Sequence, residues 1–329
     1  MRLFAASILS GLCTLSAMAS QDTIDVSKFS PPITSTEAID NPHGWPIAQQ
    51  LRRAGLKPFK PLIPSYNGQG KLLASWNPRS EPEKSATVIV VHGGHGVSPG
   101  NIQKAIQMID RLNANVLILD SYWSRGRTEN WLAWTEFGAN MRVLDALAAA
   151  RWVQKKGVRP DATFLAGDSQ GGWTVLRTFS NHNLADEVRA RFAGGIAQYP
   201  NCYVKTSRWF GAAPTGERDA EKAPPLGDYS RPVLVFTGGK DEATPLSQCD
   251  TDTVFKDTQW KHFPQATHAY DSPNRGVGRD AVHGECSKAV NIYNRFPVCH
   301  DAEVTAETLG LTYRFIESLM PLDLKASSD

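Results

Sequence analysis

Apolar and polar positions alternate along this chain in two rhythms. Thr87–Val91 is a β-branched run with no polar interruption, as expected for a strand buried on both faces of a parallel sheet. Val116–Leu119, Thr163–Ala166, Gly194–Tyr199 and Val233–Thr237 repeat that pattern. Between them the apolar residues take helical spacing over Ile102–Leu112, Trp173–Phe179 and Phe137–Val153, where Leu144, Leu147, Ala148 and Trp152 share one face. Val304–Leu319 closes the chain as a helix. Strand alternating with helix predicts an α/β fold, a mostly parallel doubly wound sheet covered on both faces. Upstream, Leu62–Ser65 and Lys71–Trp76 flank Tyr66-Asn67-Gly68-Gln69-Gly70, a hairpin turn. Residues 20–58 are rich in Ser, Pro, Thr and Asp and read as an irregular arm. Residues 200–231 are too irregular to form a second domain, which leaves one domain over 59–322 and a tail at 323–329.

Composition narrows the function classes. With 329 residues, 41% of them hydrophobic, the chain can bury a sizeable core. A formal net charge of +2 is not the basic stripe of a dedicated nucleic-acid binder. Arg2, the short apolar run Leu3–Leu15 and Ala17-Met18-Ala19 before Ser20 predict a signal peptide over 1–19. A lipid anchor at Cys13 fits less well, because bulky Leu12 precedes it. Nothing after residue 20 is long and apolar enough to span a bilayer, so the expectation is an exported protein, periplasmic or extracellular, with no stable membrane insertion. Cleavage would leave Cys202, Cys249, Cys286 and Cys299, an even number in an oxidising compartment, with three possible pairings.

The candidate chemistry centres on Gly167-Asp168-Ser169-Gln170-Gly171, a G-x-S-x-G string between a strand-like run and a helix-like run. On a tight strand-to-helix turn this arrangement lifts a serine hydroxyl above the end of a sheet. Ligands of open α/β sheets sit beyond the carboxyl ends of the strands, so the residues at those ends test the idea. His92-Gly93-Gly94-His95-Gly96 follows one strand, Asp120-Ser121 a second, Gly238-Gly239-Lys240-Asp241 a fourth, and Gln265-Ala266-Thr267-His268 comes after a further apolar step. A serine, an acid and a histidine thus occur in the chain order of the α/β-hydrolase triad. Competing readings are a helix cap or turn for Asp241, a loop histidine for His268 and a metal pair for His92 and His95. The metal reading suffers because both histidines lie in a glycine loop and not on a helix. Arg125 and Arg127 could meet an acidic substrate group or simply salt-bridge a loop, and Trp123, Trp131, Trp134 and Trp209 could line a pocket or pack the core. His262, His283 and His300 suggest no role.

Together V-V-H-G-G-H-G (90–96), L-D-S-Y-W-S-R-G (119–126), A-G-D-S-Q-G-G (166–172), T-G-G-K-D-E-A-T-P (237–245) and F-P-Q-A-T-H-A-Y (263–270) make the chain resemble the dienelactone-hydrolase-like group of α/β-hydrolases over roughly residues 85–320. The resemblance implies an α/β-hydrolase fold without a large separate cap domain, a small-molecule ester substrate, and neither cofactor nor metal. It implies Ser169 as nucleophile, His268 as its base and Asp241 as the acid that orients the imidazole. The oxyanion donors would be the backbone N–H groups of Gln170 and of Gly94, with His95 the weaker choice. Dienelactone hydrolases proper carry cysteine at the turn, so Ser169 removes the ground for lactone specificity. If the sheet follows the α/β-hydrolase order, the strands ending at Tyr199 and Thr237 are neighbours, which implies Cys202–Cys249 and leaves Cys286–Cys299. A serine peptidase, a thioesterase and a non-catalytic binding protein on the same scaffold are the alternatives to an esterase.

Overall fold

The β-branched run Thr87–Val91 becomes strand β3 in the computed structural model, which describes residues 23, 24, 26, 47–57, 62–126, 139–202, 226–273, 286–290 and 295–325. Every residue of β3 is buried. Its side chains alternate, Ile89 and Val91 joining one hydrophobic cluster and Val88 and Val90 the other. Strands β4 (Asn115–Asp120), β5 (Thr163–Asp168), β6 (Gly194–Gln198) and β7 (Val233–Gly238) are likewise buried throughout. A run with no polar interruption is what burial on both faces requires.

Eight strands form one sheet in the order β1-β2-β4-β3-β5-β6-β7-β8, with β1 (Leu62–Pro64), β2 (Lys71–Asn77) and β8 (Gln259–Phe263). β1 and β2 pair antiparallel, as do β2 and β4, and every other neighbouring pair is parallel. Helices α1 (Ala48–Arg53) and α2 (Pro99–Leu112) cover one face together with the long α7 (Ala302–Leu319). The other face is covered by α3 (Ala139–Gln154), α4 (Gln170–Phe179), α5 (Ala185–Arg191) and α6 (Thr251–Val254). A second sheet is the hairpin of β9 (Cys286–Val290) and β10 (Arg295–Cys299), and α8 (Leu322–Lys325) follows α7. The strand order and the helices on both faces make the mostly parallel, doubly wound α/β sheet that the strand-helix rhythm predicts, and among the described residues no separate cap unit stands over it.

Several details differ from the sequence reading. The stretch read as an irregular arm contains α1, whose Ala48 and Leu51 are fully buried, and Ile24 is buried with its N–H and carbonyl both bonded to the Asn183 amide. α3 is buried all round over 141–150 and not on one face, because α4 and α5 pack against it as well as the sheet. The tail at 323–329 begins inside α8. The expected signal peptide over 1–19 and most of 200–231 lie outside the described residues. Among the described residues no helix is long and apolar enough to cross a membrane.

Candidate active site

β5 ends at Asp168 and α4 begins at Gln170, so Ser169 alone makes the turn, at φ 54° and ψ −115°. An L-residue is strained there, at a cost of about 1–3 kcal/mol that neighbouring structure must hold in place. Three bonds do so. The Ser169 N–H donates to Gln198 O (3.0 Å), while its carbonyl accepts from the N–H groups of Trp173 (3.0 Å) and Asn201 (3.2 Å). The flanking glycines are needed for space. A Cβ on Gly167 would stand 2.4 Å from the Gly171 backbone, and one on Gly171 would stand 2.3 Å from Val91 O. Neither glycine has a positive φ, so the strain sits on the serine itself.

Parallel neighbours bring three chain-distant residues to one edge. Asp241 follows β7, His268 follows β8, and both are buried. His268 Nε2 lies 3.1 Å from Ser169 Oγ, and His268 Nδ1 lies 2.8 Å from Asp241 Oδ2. Asp241 Oδ1 accepts the N–H groups of Ala243 (2.9 Å) and Thr244 (2.8 Å) as a turn residue would, while Oδ2 faces both the imidazole and the Thr244 hydroxyl. Burial alone would raise the Asp241 carboxyl, but the His268 charge, its hydrogen bond and the Thr244 donors outweigh it and hold the group below the usual range. The Thr244 hydroxyl lies 2.8 Å from Asp241 Oδ2, 3.1 Å from Tyr199 O and 3.3 Å from His268 Nδ1. The ring edges of Tyr199 and Phe296 flank the imidazole at 4.9 and 5.5 Å between centroids.

The glycine loop after β3 packs against the serine turn. A Cβ on Gly94 would meet the Gln170 side chain at 3.2 Å, and one on Gly93 would meet Ser169 Cβ at 3.3 Å. Gln170 opens α4, where a backbone N–H has no intrahelical acceptor. Its side-chain Oε1 accepts from the Tyr122 hydroxyl at 2.5 Å. His92 is fully buried behind the loop, with Nδ1 2.7 Å from Gly93 O and Nε2 accepting the Ser121 N–H at 3.1 Å. Both ring nitrogens therefore face backbone groups, and His95 is exposed on the loop tip, so the two histidines are not arranged as a metal pair. Burial and the Arg142 charge push the His92 imidazole well below its ordinary range. The Arg142 guanidinium donates to His92 O.

Arg125 makes a two-pronged ion pair with Asp145 at 2.9 Å, the salt-bridged-loop alternative. Trp123 is half-buried, and His262 lies on β8 with Nδ1 2.9 Å from Thr237 Oγ1. His300 directly follows β10. Arg127, Trp131, Trp134, Trp209 and His283 lie outside the described residues. The cysteines form two pairs at disulfide distance, Cys202 with Cys249 beyond the neighbouring strands β6 and β7, and Cys286 with Cys299 as facing partners in the β9–β10 hairpin. Sequence reasoning missed Thr244, Tyr199 and Phe296. Of these only Thr244 had a signal, as the hydroxyl residue of the D-E-A-T-P turn.

No protein-family model and no curated relative matches the chain. Solved structures do. A Klebsiella pneumoniae subsp. pneumoniae MGH 78578 protein with a provisional dienelactone hydrolase name aligns at TM-score 0.55 and 16% identity, over 80% of this chain and 97% of that one. The α/β hydrolase MGS-M1 from a Medee basin deep-sea metagenome aligns at 0.52 and 14%, over 80% and 98%. The dienelactone hydrolase-like promiscuous phosphotriesterase P91, from metagenomic libraries, aligns at 0.50 and 12%, over 79% and 98%. Strand order, the serine turn and these neighbours lead to one assignment: the chain has the α/β-hydrolase fold, with dienelactone-hydrolase-like enzymes among its structural neighbours.

Proposed function

We propose that this chain is an exported serine hydrolase that cleaves a small or medium carboxylic ester through an acyl-enzyme. The observation that carries the reading is the continuous contact line from Ser169 Oγ to His268 Nε2 (3.1 Å) and from His268 Nδ1 to Asp241 Oδ2 (2.8 Å). Ester as the substrate class follows from the resemblance to dienelactone-hydrolase-like enzymes. Export is supported by the N-terminal pattern and by two cysteine pairs, which persist in oxidising compartments.

The steps follow from the groups. With its Nδ1–H directed at Asp241, neutral His268 offers Nε2 as acceptor. Ser169 Oγ attacks the acyl carbonyl carbon and its proton passes to Nε2. The carbonyl oxygen becomes an oxyanion that the N–H groups of Gly94 and Gln170 receive, a task suited to donors fixed in place before the charge develops. Collapse breaks the carbon–alkoxy bond, and the leaving alkoxide takes the proton from His268. Water then attacks the acyl carbon, again giving its proton to Nε2. Expulsion of Ser169 Oγ, reprotonated by His268, releases the carboxylic acid.

A fluorophosphonate probe tests this directly. The native chain should label, and Ser169→Ala should neither label nor retain hydrolysis of short p-nitrophenyl esters, with a loss of about 10³-fold or more. Labelling that persists in Ser169→Ala, or a residual rate above about a tenth, would overturn the reading.

A further inference from the structure

Behind His268 lies a set of buried charged groups that the hydrolytic steps do not use. Lys104, on α2, is 7% exposed. Its Nζ lies 2.8 Å from Asp271 Oδ2, 3.8 Å from Asp168 Oδ1 and 3.5 Å from the Tyr199 hydroxyl. That hydroxyl donates to Asp271 Oδ1 at 2.6 Å, and Asn101, also on α2, donates its amide to Asp168 Oδ1 at 2.7 Å. Asp168 directly precedes Ser169, while Asp271 belongs to the turn that carries His268. α2 is pressed against that same turn, since a Cβ on Gly100 would stand 2.3 Å from Ser272 Oγ. Burial works against the Lys104 charge, but Asp168 and Asp271 outweigh it and keep the ammonium protonated.

Charge placement matters because His268 must be neutral to accept a proton. Asp241, Ser169 and Thr244 meet its ring nitrogens, and the ring edges of Tyr199 and Phe296 flank it. Behind Tyr199 stand Tyr270, Asp271, Asp168 and Lys104. Lys104 Nζ is 5.4 Å from the Tyr199 ring centroid, which is 4.9 Å from that of His268. Among the described residues these buried charges around His268 are thus the carboxylates of Asp241, Asp168 and Asp271 and the ammonium of Lys104.

We propose that Lys104 is a positioning residue for the hydrolytic site: it ties the serine turn to the histidine turn through Asp168 and Asp271, and it offsets two carboxylates that would otherwise favour the protonated, non-basic form of His268. The inference rests on the Ser169–His268–Asp241 reading. A lysine that only braces the fold would affect stability and rate but leave the pH dependence where it was.

The test is kcat/KM against pH on a p-nitrophenyl ester, using the full chain, with melting curves to establish folding. Over a separation of about 10 Å, Lys104→Met should move the midpoint of the acid limb up by about half to one pH unit, and Asp271→Asn should move it down by a similar amount. The Lys104→Met/Asp271→Asn double variant should fall between them, near the native midpoint. Lys104→Arg should keep the native midpoint even where kcat drops from its bulk. If Lys104→Met does not fold, Asp271→Asn and Lys104→Arg carry the comparison. Midpoints that stay fixed, or that move in the same direction in both single variants while Ser169→Ala remains inactive, overturn the inference alone. A Ser169→Ala variant that keeps its activity overturns the triad reading and this inference with it.

Discussion

At the scale of single residues the site concentrates its strain on Ser169 and its satisfaction on the surrounding backbone. Ser169→Gly separates those two properties. Glycine adopts φ 54° without steric cost, so about 1–3 kcal/mol of strain is released, against up to about 1 kcal/mol of extra chain entropy in the unfolded state. Ser169→Gly should therefore melt above Ser169→Ala by about 2 °C, both lacking esterase activity, in a thermal scan. An equal or lower Tm for the glycine variant would show that the strain released does not exceed the entropy lost, about 1 kcal/mol. The serine was visible in the sequence because two glycines mark the turn, and the structure explains them by van der Waals space alone. Asp241 was visible but ambiguous, since one carboxylate both caps a turn and faces His268. Lys104 and Tyr199 were not visible. Their contact spans 95 positions, and a lysine at helical spacing on α2 is indistinguishable from a solvated one until the partner loops are in place.

At the scale of elements, what could be read depended on burial. β3 has the bounds its apolar run predicts, and β4, β5 and β7 extend theirs by one or two residues into polar or glycine positions that the sheet still pairs. β8 escaped because it is an edge strand: Gln259, Trp260 and Lys261 are exposed and no alternation survives in Q-W-K-H-F. The β9–β10 hairpin escaped too, since C-S-K-A-V and R-F-P-V-C are short runs broken by polar residues and a proline, and the cysteines that close it had three possible pairings. The disulfide pairs belong to this scale because each one braces a loop of the site. Cys202 follows Asn201, whose N–H holds Ser169 O, while Cys249 ends the loop that begins at Asp241. Cys299 donates its N–H to the hydroxyl of Thr267, the neighbour of His268. With separations of 47 and 13 residues, loop entropy assigns roughly 4 kcal/mol to the first pair and roughly 3 to the second. Cys202→Ala/Cys249→Ala should thus lower Tm more than Cys286→Ala/Cys299→Ala and also reduce kcat, as melting curves and esterase rates would show. The reverse order of melting points would contradict the loop-entropy account.

At the scale of the whole molecule, the sheet is wrapped on both faces, and the loops at its carboxyl edge are consequently supported from beneath by buried polar groups. His92 is the clearest case, a fully buried imidazole whose two nitrogens hold backbone at Gly93 and Ser121. Its proton affinity is pushed well down, first by burial and then by Arg142. In the unfolded chain the same imidazole binds a proton near pH 6.5. Between that pH and the depressed folded value the unfolded state carries the extra proton, so stability is full above about pH 6.5 and falls as the pH drops below it. One proton gives a limiting slope of about 1.4 kcal/mol per pH unit, beginning well above the carboxylate range. His92→Gln places an amide oxygen where Nε2 accepts the Ser121 N–H and removes the titration. Urea unfolding at intervals from pH 8 to pH 5 should therefore show a steeper decline for the native chain than for His92→Gln, the difference approaching one proton. Parallel curves for the two proteins would mean that His92 already carries a proton in the folded state, which would leave its Nε2 unable to accept the Ser121 N–H and the glycine loop held by something else.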